Sequence, residues 1–259
     1  MAAPIKLRPI PLWKEGGWTR EFLAKKKGST PRGAFDRGWH LRAVSDEDLS
    51  FPDFPSCFVH GLVLGTLQRR TDWPAFTGVD LAGRKRPGNA IVTVRVDPLT
   101  RRRYPVDLRA GAWRSHEVVN HLTEINELYS PEVIKVEDNG YQEALIDWIQ
   151  VGKYDFWYKV EGTTTTGHTK YNEEVGLPAL QVEFQNKAWC IPADEFETHE
   201  LGHMSRGCPW CRWVYEFSNH PLAASSDYVM ATWFARQGIE QIGYAWDGAN
   251  DLPDNLGAR

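Results

Sequence analysis

Pro74-Ala75-Phe76-Thr77-Gly78-Val79-Asp80-Leu81-Ala82 is the stretch on which the fold turns, together with Ala90-Ile91-Val92-Thr93-Val94-Arg95-Val96 beyond a Gly/Arg/Lys/Pro turn. Both are short apolar runs rich in β-branched residues and bounded by turn formers, so they predict two strands of a hairpin. Asp80 interrupts the first run where a charge without a partner or a metal is costly. It reads equally as a metal ligand or as an acid at the solvated end of a strand.

Outward from the hairpin, residues 104–108 predict a third antiparallel strand. Ser115 then caps a helix whose apolar face is Val118, Val119, Leu122, Ile125 and Leu128. Val133-Ile134-Lys135-Val136-Glu137 reads as a buried strand, and a helix with the stripe Ala144, Leu145, Trp148 and Ile149 follows. A fifth strand is expected at 155–160, then a threonine-rich polar loop at 162–167, and a peripheral hairpin from 180–184 and 188–191. The last strong element is a helix at about 225–237, apolar at Val229, Met230, Trp233 and Phe234 and capped by Ser225 or Ser226. The pattern predicts a mixed α/β domain over 73–240 that includes a small insertion at 194–213. Residues 1–72, rich in Trp, Pro, Gly and basic side chains with one short helix near 18–27, read as an extension or linker, and 241–259 as a loose tail. No internal repeat is present.

With 259 residues, 42% hydrophobic and 25% charged, the composition is that of a globular chain and excludes wholesale disorder. No apolar run is long enough for a bilayer, and Met1-Ala2-Ala3-Pro4-Ile5-Lys6-Leu7-Arg8 has no continuous apolar segment behind its charges. A cytosolic setting without a membrane is the expectation. The net charge of -4 is awkward for a DNA-binding protein, but basic runs occur at Lys25-Lys26-Lys27, Arg69-Arg70, Arg84-Lys85-Arg86 and Arg101-Arg102-Arg103. Each such run is more often a solvated loop than a contact with nucleic acid. Four cysteines without a secretion signal argue for a metal site rather than a disulfide framework.

Cleavage of a phosphodiester with two divalent cations needs several carboxylates converging on ions about 3.5–4 Å apart. Glu137 and Asp138 end the second strand on opposite faces, so only one of them joins Asp80. The other reading is a helix N-cap or first-turn acid, which Asp138 fits well. Asp227 opens the last helix, where an acid is commonly a cap. The three positions together match an RNase H-like metal site better than any one of them does.

The segments Thr77-Gly78-Val79-Asp80-Leu81-Ala82, Val133-Ile134-Lys135-Val136-Glu137-Asp138-Asn139 and Ser225-Ser226-Asp227-Tyr228-Val229-Met230-Ala231 resemble, in order, the three acidic motifs of the phage large terminase nuclease domain. Gly176-Leu177-Pro178-Ala179-Leu180 and Trp189-Cys190-Ile191-Pro192 resemble the same family, and the likeness spans about 35–237. It implies an RNase H-like mixed sheet flanked by helices and a metal-dependent endonuclease that cuts double-stranded DNA during viral genome packaging. Asp80, Glu137 and Asp227 would be the catalytic ligands of two Mg²⁺ or Mn²⁺ ions, with Asp138 the fallback for the second. The implied partners are DNA, an ATPase motor subunit, a small terminase subunit and a portal, in the cytoplasm of an infected bacterial host. The backbone of the DNA would cross Arg84, Lys85 and Arg86, which the hairpin turn projects beside Asp80, with Arg101, Arg102 and Arg103 as further candidates. Two departures stand out. The family often has paired acids at the third motif, where this chain has Ser226, and no Gly-x-x-x-x-Gly-Lys-Ser/Thr phosphate loop occurs, which implies an excised domain or a motor on a separate chain.

Thr198-His199-Glu200-Leu201-Gly202-His203 contains the His-Glu-x-x-His pattern of zinc proteases. The metzincin continuation fails at Arg206 and Pro209, and a distant ligand glutamate is not evident. Cys208-Pro209-Trp210-Cys211 follows instead, so His199, His203, Cys208 and Cys211 form a four-donor set of the kind that closes a structural zinc site, with His220 able to replace one histidine. Cys57 and Cys190 read as buried small hydrophobes. Three classes are therefore carried forward: nuclease, non-catalytic DNA-binding packaging module and, last, metalloprotease.

Overall fold

The computed structural model describes residues 49–81, 88–137, 143–197, 199 and 207–245. All belong to the compact unit Leu49–Arg259; the other unit, Met1–Asp48, lies outside the described residues, as do the helix expected near 18–27 and the 246–259 tail. A 3-10 turn (Phe54–Cys57), β1 (Phe58–Val59) and α1 (Leu64–Gln68) lead into the sheet. Phe51, Phe54 and Cys57 lie in its core, so the described part of the expected extension packs with the domain.

Five strands form the central sheet: β2 (Ala75–Asp80), β3 (Asn89–Val96), β4 (Arg103–Gly111), β5 (Val133–Glu137) and β6 (Val160–Thr163). Their order is β4-β3-β2-β5-β6. The first three are antiparallel neighbours, whereas β5 runs parallel to β2 and β6 parallel to β5. Every residue of β3 is buried, the signature of a strand covered on both faces.

One face of the sheet is covered by α2 (Ser115–Tyr129) and α3 (Glu143–Gly152), which bury Val118, Leu122, Ile125, Leu145 and Ile149 against Val79, Ile91, Val106 and Val136. Further on come α4 (Gly167–Lys170), α5 (Leu177–Gln185), β7 (Ile191–Pro192), α6 (Asp194–Glu197), α7 (Pro209–Asn219) and α8 (Asp227–Gln241). On the opposite face, α8, α5 and α7 share one core with Phe76, Val92 and Val94. Tyr228 through Ala235 are all buried, so α8 is an internal helix rather than a surface one.

Gly78 sets the approach of α8. A Cβ there would lie 2.0 Å from the backbone oxygen of Ala231 and 2.3 Å from the nitrogen of Ala235. Only a glycine lets the helix rest directly on β2. Side chains alternate along a strand, so Asp80 faces the same side as Gly78 and thus the side of α8.

Several expectations need correction: Ser115 is the first residue of α2, behind the N-cap Arg114, and Trp148 of the expected α3 stripe is exposed. The fifth strand is displaced: a 3-10 turn occupies Trp157–Lys159, and β6 runs through the first part of the expected threonine loop. The expected hairpin at 180–184 and 188–191 is helix α5 followed by β7, which pairs in parallel with β1. Leu177, Leu180 and Phe184 recur at helical spacing on the buried side, and Pro178 stands in the first turn, where its missing N–H is harmless. Leu128, assigned to the apolar face of α2, is 61% exposed.

Candidate active site

The pairing of Val79 with Val136 brings the ends of the parallel strands β2 and β5 level, so Asp80 and Glu137 emerge side by side on one face. Asp227 is the first residue of α8, the helix laid on that face. The three acids therefore meet, although they are separated by 57 and 90 positions in the sequence. Asp80 is within hydrogen-bond reach of Glu137. Burial holds the Asp80 carboxyl well above the usual carboxylate range, the charge and hydrogen bond of Glu137 add to this, then the charge of Asp227, while Lys170 acts in the opposite sense.

Asp227 is fixed from α7. Arg212 donates from Nη2 to Asp227 Oδ2 at 2.8 Å and to Ser225 Oγ at 3.1 Å, and from Nε to Glu216 Oε1 at 3.1 Å. Glu216, one turn beyond Arg212 and buried, accepts the Ser225 hydroxyl at 2.5 Å and the Tyr228 backbone N–H at 2.8 Å. It thereby satisfies an orphan donor at the start of α8, a capping role supplied from another helix. Backbone closes in as well, because a Cβ on Gly88 would sit 2.6 Å from Asp227 Oδ2.

Arg212, Glu216 and Lys170 were absent from the sequence-based set. The first two stand four apart on a helix, a recognisable ion-pair spacing, but nothing local links them to Asp227.

Asp138 and Arg84, Lys85 and Arg86 lie outside the described residues. Arg101, Arg102 and Arg103 do not belong with the acids. Val96 pairs with Arg103 while Ala90 pairs with both Asp80 and Ala110, which puts the arginines at the far end of the sheet. Arg103 is fully buried, with Nη2 2.9 Å from Glu183 Oε1; Arg102 is buried against Cys190; Arg101 lies over the Tyr244 ring at 4.6 Å. Their partners are internal, so Arg102 and Arg103 are structural cations rather than a DNA-facing surface.

A second donor cluster lies at the head of α7. The donor atoms of His199, Cys208 and Cys211 all fall within 4.8 Å of one another, with His199 Nδ1 3.0 Å from Cys211 Sγ. His203 and Glu200 lie outside the described residues. His220 sits elsewhere, with Nδ1 2.8 Å from Ser50 Oγ, and burial pushes it down to about 4. Cys57 and Cys190 are buried, as expected of small hydrophobes, and burial raises the Cys57 thiol to about 12.

A mixed sheet with helices on both faces and acids at the ends of its central strands defines the RNase H-like class. Among solved structures, the magnesium-bound large terminase nuclease of thermophilic phage G20c aligns with a TM-score of 0.51 at 12% identity, covering 73% of this chain and 96% of that one. The manganese-soaked, inhibitor-bound terminase nuclease domain of human cytomegalovirus aligns at 0.49 and 12% identity, covering 74% and 93%. The manganese-bound nuclease domain of the bacteriophage SPP1 large terminase aligns at 0.45 and 16% identity, covering 71% and 95%. No protein-family model matches the sequence, and no curated protein does. The fold is that of the large-terminase nuclease domain, and the resemblance read from the three acidic segments is met at that level.

Proposed function

We propose that this chain is a metal-dependent endonuclease that cuts double-stranded DNA during viral genome packaging, acting as a terminase nuclease module. The observation that carries the proposal is the meeting of Asp80, Glu137 and Asp227 at one corner of the sheet, with the Asp80 carboxyl raised by its neighbours. A carboxyl raised by burial and by neighbouring acids is the electrostatic setting that a cation would relieve. Hard carboxylate oxygens suit Mg²⁺ or Mn²⁺, and two such ions would supply water activation and stabilisation of the leaving oxygen.

Asp80 would be the ligand common to both ions, with Glu137 and Asp227 each serving one. Arg212 holds Asp227 Oδ2 at 2.8 Å and so orients this carboxylate at the head of α8. The basic run Arg84-Lys85-Arg86, which follows Asp80 in the sequence, is assigned the DNA backbone. The reading also assigns the partners of a packaging machine, namely a motor ATPase, a small terminase subunit and a portal, in the cytoplasm of an infected bacterium. No helix among the described residues is long and apolar enough to cross a membrane.

Supercoiled plasmid incubated with Mn²⁺, Mg²⁺ or EDTA provides the test. The parent chain should nick and linearise it with a divalent ion, and Asp80→Asn and Asp227→Asn should not. Equal cutting by folded variants would remove the assignment. A parent that binds DNA with steep salt dependence and yields no product with either ion is instead the non-catalytic packaging module.

A further inference from the structure

We propose that His199, Cys208 and Cys211 hold a structural zinc ion at the head of α7, and that this ion fixes the helix that presents Arg212 to Asp227. The site is independent of the nuclease reading; its consequence at Asp227 rests on that reading.

Three observations carry the assignment. First, donors from two chain segments converge: His199 follows α6, whereas Cys208 and Cys211 flank the first turn of α7, and all three donor atoms lie within 4.8 Å of one another. From bond lengths of about 2.0–2.3 Å, donors on a tetrahedral zinc stand about 3.5–3.8 Å apart, so the 3.0 Å His199–Cys211 pair opens slightly and adjustments of about an ångström complete the set. Second, neither cysteine is in a disulfide and both are partly exposed, whereas Cys57 and Cys190 are buried as packing cysteines usually are. Third, the surroundings are already arranged. Phe196 packs edge-on against the His199 ring at 5.4 Å and against Trp210 at 6.0 Å, and Asp194 at the start of α6 accepts from the Gly61 N–H at 2.8 Å, tying α6 to the loop after β1.

Two thiolates and an imidazole are a soft donor set that selects Zn²⁺ over Mg²⁺ or Mn²⁺, so this site and the acidic site would not compete for one ion. A closed site takes four donors, and the sequence offers His203, outside the described residues, as the fourth. The thiol donors distinguish this set from a protease centre, which keeps a coordination position open. The link to the acids is covalent and short. Cys211 is followed directly by Arg212, whose guanidinium meets Asp227 at 2.8 Å, and Glu216 one turn later caps α8.

The full chain, purified without added metal, is measured for zinc by elemental analysis beside Cys208→Ser/Cys211→Ser, His199→Ala and Asp80→Asn. One equivalent of zinc is expected in the parent and in Asp80→Asn, surviving a brief EDTA wash, with the cysteine double variant and His199→Ala falling at least tenfold. Zinc lost in Asp80→Asn and kept in the double variant places the ion at the acids and overturns the site. The same chain grown with cobalt should show the intense tetrahedral bands and thiolate charge-transfer absorption of a sulfur-ligated ion. This spectrum decides the matter on the parent alone if the variants do not fold: a parent with neither zinc nor a cobalt–thiolate band refutes the proposal. Nuclease activity enters neither reading, so an inactive chain that carries zinc leaves the site standing.

Discussion

Two sets of acids within the same core are treated in opposite ways. Glu183, on α5 and 3% exposed, is surrounded by donors: Arg103 Nη2 at 2.9 Å and Arg236 Nε at 2.8 Å reach one oxygen, and Trp189 Nε1 at 2.9 Å reaches the other. Asp80, on the same side of the sheet, is raised by burial and by the carboxylates of Glu137 and Asp227, and Lys170 offsets only part of that. The first arrangement is complete without any ligand. The second leaves a mutual repulsion that a divalent cation would relieve. On the proposed reading, charge compensation, rather than burial or the presence of acids, separates the structural carboxylate from the catalytic one.

The comparison is broken most directly by substitutions that keep shape and remove charge. On the proposed assignment, Asp80→Asn and Glu137→Gln should each lower plasmid cleavage by roughly a thousandfold or more, because each would remove an ion ligand, while circular dichroism stays that of the parent. Glu183→Ala should do the reverse. Leaving Arg103 and Arg236 buried without their acid should cost about 3–5 kcal/mol of stability by urea unfolding, with the specific activity of the folded fraction retained. If Glu183→Ala left stability intact and Asp80→Asn unfolded the chain, the two sets would have been assigned the wrong way round.

Much of this contrast was legible before the fold was known, and the rest was not for identifiable reasons. The strands carrying Asp80 and Glu137 announce themselves as apolar β-branched runs, and α8 as a long apolar helix beginning at an acid, so the elements of the site could be placed. Arg101-Arg102-Arg103 misled because a basic run looks like surface until its partner is seen, and Glu183 lies 80 residues away from Arg103. The helix at Leu177–Gln185 was read as a strand because a short apolar segment gives the same composition in either state. Arg212 and Glu216 escaped because their role is defined by contact with Asp227 across a turn, which no local pattern encodes.

Arg212 sharpens the comparison, since it brings to the acidic site a fraction of the compensation that Glu183 enjoys. Its work is to orient Asp227, so Arg212→Met should weaken Mn²⁺ dependence or turnover by about 10–100-fold, the range for groups that hold a metal ligand in place. Loss should appear chiefly in the Mn²⁺ concentration needed for half activity, and Arg212→Lys should restore part of it. An unchanged Mn²⁺ profile in Arg212→Met would show that Asp227 keeps its place without the ion pair.

The smallest effect concerns the metal-free protein. The Asp80 carboxyl titrates well above its unfolded value, burial and the neighbouring acids being the cause. Between the two values the folded chain holds a proton that the unfolded chain, titrating near 3.9, has released. The folded state therefore binds more protons, and the stability of the ion-free protein falls as pH rises from about 4 through the raised value. Asp80→Asn removes that penalty because an amide resembles the protonated acid. In EDTA the variant should melt above the parent at neutral pH by a few degrees, roughly 2–4 °C for each kcal/mol at this size, and the gap should close as pH is lowered toward 4. Saturating Mn²⁺ should invert the order, since an ion at a hundredfold its dissociation constant adds about 2.7 kcal/mol to a chain that binds it and nothing comparable to the variant. Identical melting of the two chains in EDTA at pH 8 would mean that Asp80 carries no electrostatic burden, and the contrast with Glu183 would lose its physical basis.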